Sequence, residues 1–484
     1  MKAKKTFYIT TPIYYSTAKP HLGTAYTTIA ADVLGRWHKL LGEDVFFLTG
    51  TDEHGQKLDE VAKKAGKDPK EYVDILVKDF KNAWKELNIE FDHFIRTTDK
   101  IHEEVVKKII KKIYDNGDLY DSNYEGLYCV PCESYWTEKD LADGKCPSCG
   151  RDVQIIKEKA YFFRLSKYQK KLIELYDKNP KFVMPKSKKN EMINRIKEGL
   201  KDVSFTRSKF KWGVEFPINK DYVLWVWADA LTNYVSALQW PDGKNFKKFW
   251  PVNVHLIGKD ILWFHSVIWP AMLMSAGIDT PITIFAHGWW TVDGEKMSKS
   301  KNNVIDPLEL IKKYGVDSFR YFLFRASTFG EDGDFSEKVL FERHNTELAN
   351  KLGNLVSRVT ALAEKYGIEK TENKLLNKLK LKEIEERFES FELDKALILI
   401  FAFIDNCNEY VQERKPWETK NKKVLYELLD SIKAIAIILW PFIPGTSEKI
   451  ANQIGFDIKY SEIKKPLKVK NIKKGEILFK KIDV

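Results

Sequence analysis

The opening stretch TFYITTPIYY is rich in β-branched and aromatic residues and is broken by Pro12. Further on, Ile29, Val33, Trp37, Leu40 and Leu41 recur at helical spacing as far as Gly42. The first pattern predicts a strand and the second an amphipathic helix, with the loop Pro20-His-Leu-Gly-Thr between them. DVFFLTG, a second helical stretch and the short FIRTT continue this alternation to residue 116. Strands alternating with helices predict a parallel sheet in an α/β fold. The rhythm breaks over 117–212 around four cysteines and a lysine-rich stretch, as an insertion between two halves of one sheet would make it. It returns at 213–290, where YVLWVWADAL, VHLIGKDI and ITIFAHGWW read as strand-like segments. A polar stretch, GEKMSKSKNNVIDP, opens the next region, 291–345. Beyond about residue 330 the pattern turns helical: Leu348, Leu352, Leu355, Val359 and Leu362 form a stripe, and amphipathic segments follow near 381–413 and 422–440. The last region, 346–484, is predicted to be all-helical.

A chain of 484 residues, 44% hydrophobic, is expected to form several packed domains. No run approaches the roughly 18 apolar residues of a membrane span, and Pro12 cuts short what would be a signal peptide, so a cytoplasmic protein with no membrane partner is expected. The net charge of +11 is compatible with a nucleic-acid partner and equally with solvated lysine faces.

Cys129-Val-Pro-Cys132 and Cys146-Pro-Ser-Cys149 present two thiolates each from tight turns, separated by 13 residues. Two such turns supply the four ligands of tetrahedral Zn2+; the alternative is a pair of thiol turns on the surface. Four cysteines leave no position open for a catalytic water, so the expected metal is structural. Cys407 reads as an ordinary helix residue.

Two other stretches are suited to phosphate. His21 stands two residues before Gly23 where a strand turns into a helix, and free N–H groups at a helix start favour an anion. Lys296-Met-Ser298-Lys299-Ser lies in a polar loop after an apolar strand, where lysines and hydroxyls can close over a polyphosphate. Each alone fits a surface histidine or a solvated lysine loop. Together, in the two halves of one split sheet, they point to a nucleotide.

With these signatures the sequence resembles the class I aminoacyl-tRNA synthetases, marked by His-Ile-Gly-His and Lys-Met-Ser-Lys-Ser. Within that class it is similar to the methionyl-tRNA synthetases over nearly its whole length, through FYITTPIYY, FLTGTDEHG, the CxxC pairs, VWADALTNYVSAL, HLIGKDI, FHSVIWPAML, AHGWWTVDGEKMSKS, NLVSR and KPWE. The resemblance implies a Rossmann-type parallel-sheet catalytic domain (1–116 and 213–290), split by a zinc-binding connective domain (117–212). A stem-contact segment with the lysine loop (291–345) and a helical anticodon-binding domain (346–484) follow. It implies adenylation of L-methionine by ATP with Mg2+ on the phosphates, then transfer to tRNA(Met), with no large protein partner. His21, Lys296 and Lys299 would act on the phosphates, with Gly23, Thr24, Asp260 and Ser298 also at the ATP. Ile13, Tyr15, Trp227, Ala230, Tyr234 and His265 would surround the thioether, and Asp52 would hold the ammonium group, steadied by Arg207. Asn354, Arg358 and Trp417 would meet the anticodon.

One position departs from the family pattern: Thr24 stands where the second histidine of the first signature is usual. Threonine starts a helix well but cannot carry an imidazolium's charge. The insertion is too short for a large hydrolytic editing domain, and with nothing after the helical region a monomer is expected. Two rivals remain at this point. One is another enzyme of the same architecture, either a class I synthetase for a different amino acid or a nucleotidylyltransferase, and NLVSR and KPWE argue against the nucleotidylyltransferase; the other is a non-catalytic zinc-bearing RNA-binding protein, which only Thr24 favours.

Overall fold

The computed structural model describes residues 4–17, 19–130, 134–136, 138–147, 149–297, 303–468 and 472–483. Its centre is a seven-stranded parallel sheet. From one edge inward run Val183–Met184, Thr283–His287, Val254–Gly258 and Thr6–Thr10, then Asp44–Asp52, with which both His93–Arg96 and Tyr14–Tyr15 pair. Strands that precede the insertion therefore lie to one side of Thr6–Thr10, and those from residue 183 onward lie to the other. The order reverses between Thr6–Thr10 and Val254–Gly258, which pair through Ile9 with Val254 and Thr10 with His255. Such a reversal opens a crevice at the carboxyl ends of the two strands, the usual place for a ligand in an open α/β sheet.

The first helix, Leu22–Leu40, runs back from that crevice. It ends where the sequence says it must: Gly42 takes a φ of 85°, a turn that glycine makes without a side-chain penalty. Its faces are buried nearly all round, because it packs on the sheet on one side and on the helical region on the other. Asp32, in its middle, receives a hydrogen bond from Arg36 at 2.8 Å and one from Arg320 at 2.6 Å. Arg320 also donates to the carbonyls of Leu87, Asn88, Pro441 and Phe442. One buried guanidinium thus ties the first helix to the helix Val316–Leu323 and to the turn after Lys422–Leu439.

Between the sheet's two halves, Ser134–Trp136, Leu119–Cys129, Gln154–Phe163 and Val203–Ser204 form an antiparallel sheet in that order. This stretch is not wholly apart from the central sheet, since Val183–Met184 returns to pair with Ile284 and Phe285. YVLWVWADAL is not the parallel strand its composition suggests. Val223–Leu224 pairs antiparallel with Thr206–Arg207, and Val226–Ala230 and Asn233–Ser236 are short buried helices. An apolar run buried on all sides carries no periodicity to separate helix from strand. The C-terminal region is helical, with Asn354–Tyr366, Leu381–Glu389, Leu393–Arg414 and Lys422–Leu439 among its helices, and Cys407 lies buried inside the third of these.

Candidate active site

His21 caps the first helix, and its ring is folded back onto the turn: the Gly23 N–H donates to Nδ1 at 3.1 Å. A side chain on residue 23 would press on the ring, since a Cβ there would sit 3.0 Å from His21 Cε1 and 3.2 Å from Nδ1. The Thr24 hydroxyl completes the cap. It accepts from the His21 N–H at 2.9 Å while the His21 ring accepts from the Thr24 main chain, a capping box, and it also donates to the His21 carbonyl at 2.8 Å. The Leu22 N–H donates to the carbonyl of Ile305, just beyond the lysine loop, at 3.0 Å. Main-chain donors that the sequence would offer to a phosphate are therefore committed inside the protein. Burial lowers the His21 pKa, with Asp260 opposing, which favours a neutral imidazole.

The chain flanking the lysine motif comes to this turn. Lys296 ends a hairpin strand, with its main chain paired to Thr291, and Met297 lines the same cleft as His21 and Gly23. Ser298 and Lys299 lie outside the described residues, as does the side chain of Lys296.

A cleft of about 560 Å³ opens at the sheet's reversal point and is lined, among others, by Ile13, Tyr15, Asp52, Trp227, Ala230, Tyr234 and His265. These seven residues come from four separated stretches of sequence. Trp227 stacks on Phe264 with ring centres 3.7 Å apart and planes 4° from parallel. His265 donates from Nδ1 to the Ile261 carbonyl at 3.0 Å, which leaves Nε2 to accept the Tyr234 hydroxyl at 2.7 Å. Burial pushes the His265 pKa down to about 4, so this ring is neutral at pH 7. The pocket thus offers aromatic faces and a neutral hydrogen-bonded pair, and Asp52, 8% exposed, is the carboxylate in its lining near Tyr15.

Asp260 and Gly258 also line the cleft, and Trp289 Nε1 donates to Asp260 Oδ1 at 3.3 Å. Lys259, next in sequence, pairs with Asp332 at 2.6 Å, and Asp332 in turn receives the Trp289 N–H at 2.8 Å. Lys259 and Trp289 were not singled out from sequence; a lysine and a tryptophan at strand ends carry no motif of their own. Arg207 is buried and donates from Nη1 to the Ser204 and Thr206 carbonyls, with its guanidinium near the rings of Tyr128 and Trp225.

Behind the pocket lies a group that sequence reasoning also missed. Asp229 accepts from His54 at 2.7 Å and from His102 at 2.7 Å, and the other nitrogen of His102 meets the Ser236 hydroxyl at 2.7 Å. Burial would raise the Asp229 pKa, but the two imidazoles outweigh it and hold the carboxyl at about 2. The same pairing overcomes the effect of burial on His54 and raises its pKa. The network joins the strand end carrying Asp52 to the helix carrying Trp227 and Ala230.

Cys129, Cys146 and Cys149 gather with their sulfur atoms within 4.8 Å of one another, and Cys132 lies outside the described residues. The Cys129 and Cys149 sulfurs are 3.6 Å apart, far beyond a disulfide bond. Two thiolates on one tetrahedral Zn2+ with bonds of about 2.3 Å would be separated by roughly 3.8 Å, so the donor set fits that ion. Cys149 and Arg151 also reach the wall of the cleft. Far away, Asn354 is exposed and Arg358 half-buried on one face of Asn354–Tyr366, and the Arg358 guanidinium lies 6.0 Å from the Trp417 ring centre.

Comparison with known proteins decides the family. The model for class I (M) tRNA synthetases matches residues 7–156 and 139–360, and that for the anticodon-binding domain of tRNA ligases matches 372–479. A methionine–tRNA ligase of Caldanaerobacter subterraneus subsp. tengcongensis is 48% identical, over 99% of this chain and 80% of its own length. The chain belongs to the class I methionyl-tRNA synthetase family. Its relative in Thermotoga maritima is 45% identical over 99% of this chain and 80% of its own. Among solved structures, Mycobacterium tuberculosis methionyl-tRNA synthetase in complex with methionyl-adenylate superposes with a TM-score of 0.95 at 37% identity, covering 98% of this chain and 99% of that one. The free-state form of the mycobacterial enzyme gives a TM-score of 0.89 at 34% identity, over 100% and 99%. The mixed α/β fold, the parallel-sheet catalytic part and the helical anticodon-binding part thus agree with the expectation from sequence.

Proposed function

We propose that this chain is a methionine–tRNA ligase: it activates L-methionine with ATP and transfers the methionyl group to the 3′-terminal adenosine of tRNA(Met). The observation that carries the reading is the joining of the His21 turn to the end of the lysine loop, beside an aromatic pocket closed by a neutral Tyr234–His265 pair. A methionine carboxylate oxygen attacks the α-phosphorus of ATP, the bond to the bridging oxygen breaks, and pyrophosphate leaves with the electron pair. The 3′-terminal hydroxyl then attacks the acyl carbon and AMP leaves. No side-chain nucleophile is required, so catalysis is positioning and stabilisation of developing charge. His21 Nε2–H, Lys296 and Lys299 meet the phosphates, with Ser298 beside them. Gly23 admits the nucleotide close to the turn, and Asp260 borders the ribose or adenine. Asp52 holds the ammonium group with Arg207 in support, while Ile13, Tyr15, Trp227 and Ala230 enclose the thioether. A sulfur atom is polarizable and suits aromatic walls.

Mg2+ on the phosphates of ATP supplies charge neutralisation when bound. The cysteine set, completed by Cys132, holds one structural Zn2+ that fixes the turn bearing Arg151. We further read 1–116 and 213–290 as the catalytic domain, 117–212 as connective, 291–345 as stem-contact and 346–484 as anticodon-binding. Asn354, Arg358 and Trp417 meet the anticodon, where an arginine and a tryptophan in contact suit stacking on an unpaired base. No described helix is long and apolar enough to cross a membrane, and charging of tRNA points to the cytoplasm.

The test is incorporation of labelled pyrophosphate into ATP, with methionine and, in parallel, isoleucine, leucine, valine and cysteine. Exchange with methionine alone is expected. No exchange with any of them, from folded zinc-loaded protein, would leave the RNA-binding reading in its place.

A further inference from the structure

The hydroxyl of Thr24 has one hydrogen, and the turn uses it. Thr24 Oγ1 donates to the His21 carbonyl at 2.8 Å and accepts the His21 N–H at 2.9 Å. Its remaining lone pair can only accept, and a polyphosphate at neutral pH has no proton to offer it. Nothing in this arrangement lets Thr24 serve the nucleotide as a donor. Its hydrogen bonds do fix the φ and ψ of the residue whose ring faces the cleft, and they fix it from both sides of that residue.

The ring of His21 is in turn fixed by Gly23. With Nδ1 accepting the Gly23 N–H at 3.1 Å, a neutral imidazole must carry its proton on Nε2. Ala25 N–H donates to the His21 carbonyl at 2.9 Å, so that oxygen receives both the helix's own bond and the Thr24 hydroxyl. Leu22 N–H is held by Ile305. Among the described residues His21 to Thr24, the donor left for a phosphate is Nε2–H, and its direction depends on the main chain that Thr24 holds.

We propose that Thr24 is a positioning residue for adenylation: its hydroxyl locks the His21 main chain so that the imidazole presents Nε2–H to the phosphates, and Thr24 does not itself contact the nucleotide. The catalytic part of this inference rests on the function proposed above; the tautomer part does not. A histidine at this position would bring a second ring to the phosphates. Threonine instead spends its polar group on making the first ring unambiguous, so the chain relies more heavily on His21 and on the lysine loop. The proposal departs from the expectation from sequence that Thr24 is an ATP contact: Thr24 lines the cleft beside His21 and Gly23, but its hydroxyl is spent on the His21 main chain.

The test uses the full chain without ligand, labelled with 15N in its nine histidines, with His21 assigned by the resonance that Gln at this position removes. Wild type is expected to show His21 with a non-protonated Nδ1 and a protonated Nε2. Thr24→Val keeps the shape and removes the hydroxyl; Thr24→Ala, run beside it, removes the hydroxyl with less crowding. In both, the His21 signature should move toward a mixture of tautomers, and kcat for methionine-dependent pyrophosphate exchange should fall by on the order of tenfold, as small misplacements of a catalytic group do. The KM for methionine should stay unchanged. Thr24→Ser, which keeps the hydroxyl, should restore both signature and rate. A rate loss with an unaltered His21 signature would mean that the hydroxyl touches the nucleotide directly and would overturn the proposal. So would no change in either readout, or failure of serine to rescue. If wild type shows no exchange with any amino acid, the proposed function fails, while the tautomer measurement still decides what Thr24 does to His21.

Discussion

On the side of the cleft proposed to take methionine, Trp227 is stacked on Phe264 and the Tyr234 hydroxyl is already donated to His265, with the Asp229 network fastened behind them. On the side proposed to take the phosphates, His21 is held at its main chain and at Nδ1, and Met297 and Ile305, on either side of the lysine motif, reach the cleft and the turn. The two halves are preorganised for different ligand chemistry. Methionine's side chain is uncharged, and a pocket of fixed neutral groups can recognise it by shape and polarizability. The polyphosphate changes its charge distribution as the reaction proceeds, so its partners must be donors whose own bonds are not used up.

The largest effect that would sharpen this contrast is expected at His21. His21→Ala should lower exchange kcat by roughly 100- to 1000-fold, the usual effect of losing one donor to developing charge, with the KM for methionine unchanged. Steady-state exchange at varied methionine checks it. That loss should exceed the loss from Thr24→Ala, since the threonine acts through the histidine.

Next in size is Asp229→Asn, which loosens the amino-acid side from behind. Folding lowers this carboxyl's pKa from 3.8 to about 2, so its contribution is complete above the unfolded value and is lost as pH falls toward about 2. A shift of that size corresponds to about 2 kcal/mol of stability at neutral pH. The variant should unfold at lower urea and lose much of the steep acid limb of the wild type. His54, whose pKa folding raises, contributes in the opposite sense: its share is present below the unfolded value near 6.5 and fades as pH rises through the folded one. Urea midpoints measured across pH distinguish the two limbs. An acid limb as steep as wild type in Asp229→Asn would show that the carboxylate is not what the imidazoles hold.

The smallest of the three is expected at Tyr234→Phe. It leaves the neutral His265 Nε2 buried without its donor and should raise the KM for methionine about tenfold, with kcat largely retained. Isothermal titration with methionine alone should show a matching loss of affinity without turnover.

The features legible in the sequence were those encoded locally. The strand at the start, the helix up to Gly42 and the paired CxxC turns each announce themselves within a dozen or so residues, because periodicity and ligand spacing are short-range signals. The resemblance to a known family supplied the candidate pocket residues, and the structure brings Ile13, Tyr15, Asp52, Trp227, Ala230, Tyr234 and His265 to one cleft. Contacts between distant positions were not legible. His54 and Asp229 are 175 residues apart in sequence, and Arg320 reaches Asp32 across 288. The quoted blocks FLTGTDEHG and VWADAL hold both members of the first pair, but no rule of spacing says that they touch. The expectation of open N–H groups at the helix start failed for a related reason: the partner of Leu22 is Ile305, from the segment after the lysine motif and far along the sequence. YVLWVWADAL was misread because burial on every side erases the pattern that distinguishes a strand from two short helices.

The most direct test of this division of labour is to measure kcat and the methionine KM for pyrophosphate exchange in His21→Ala and Tyr234→Phe side by side. The account predicts that the first variant loses kcat with its methionine KM intact, and that the second raises the methionine KM while largely keeping kcat. If both variants moved the same constant by similar factors, the cleft would be acting as one undivided unit, and the contrast between its two sides would be wrong.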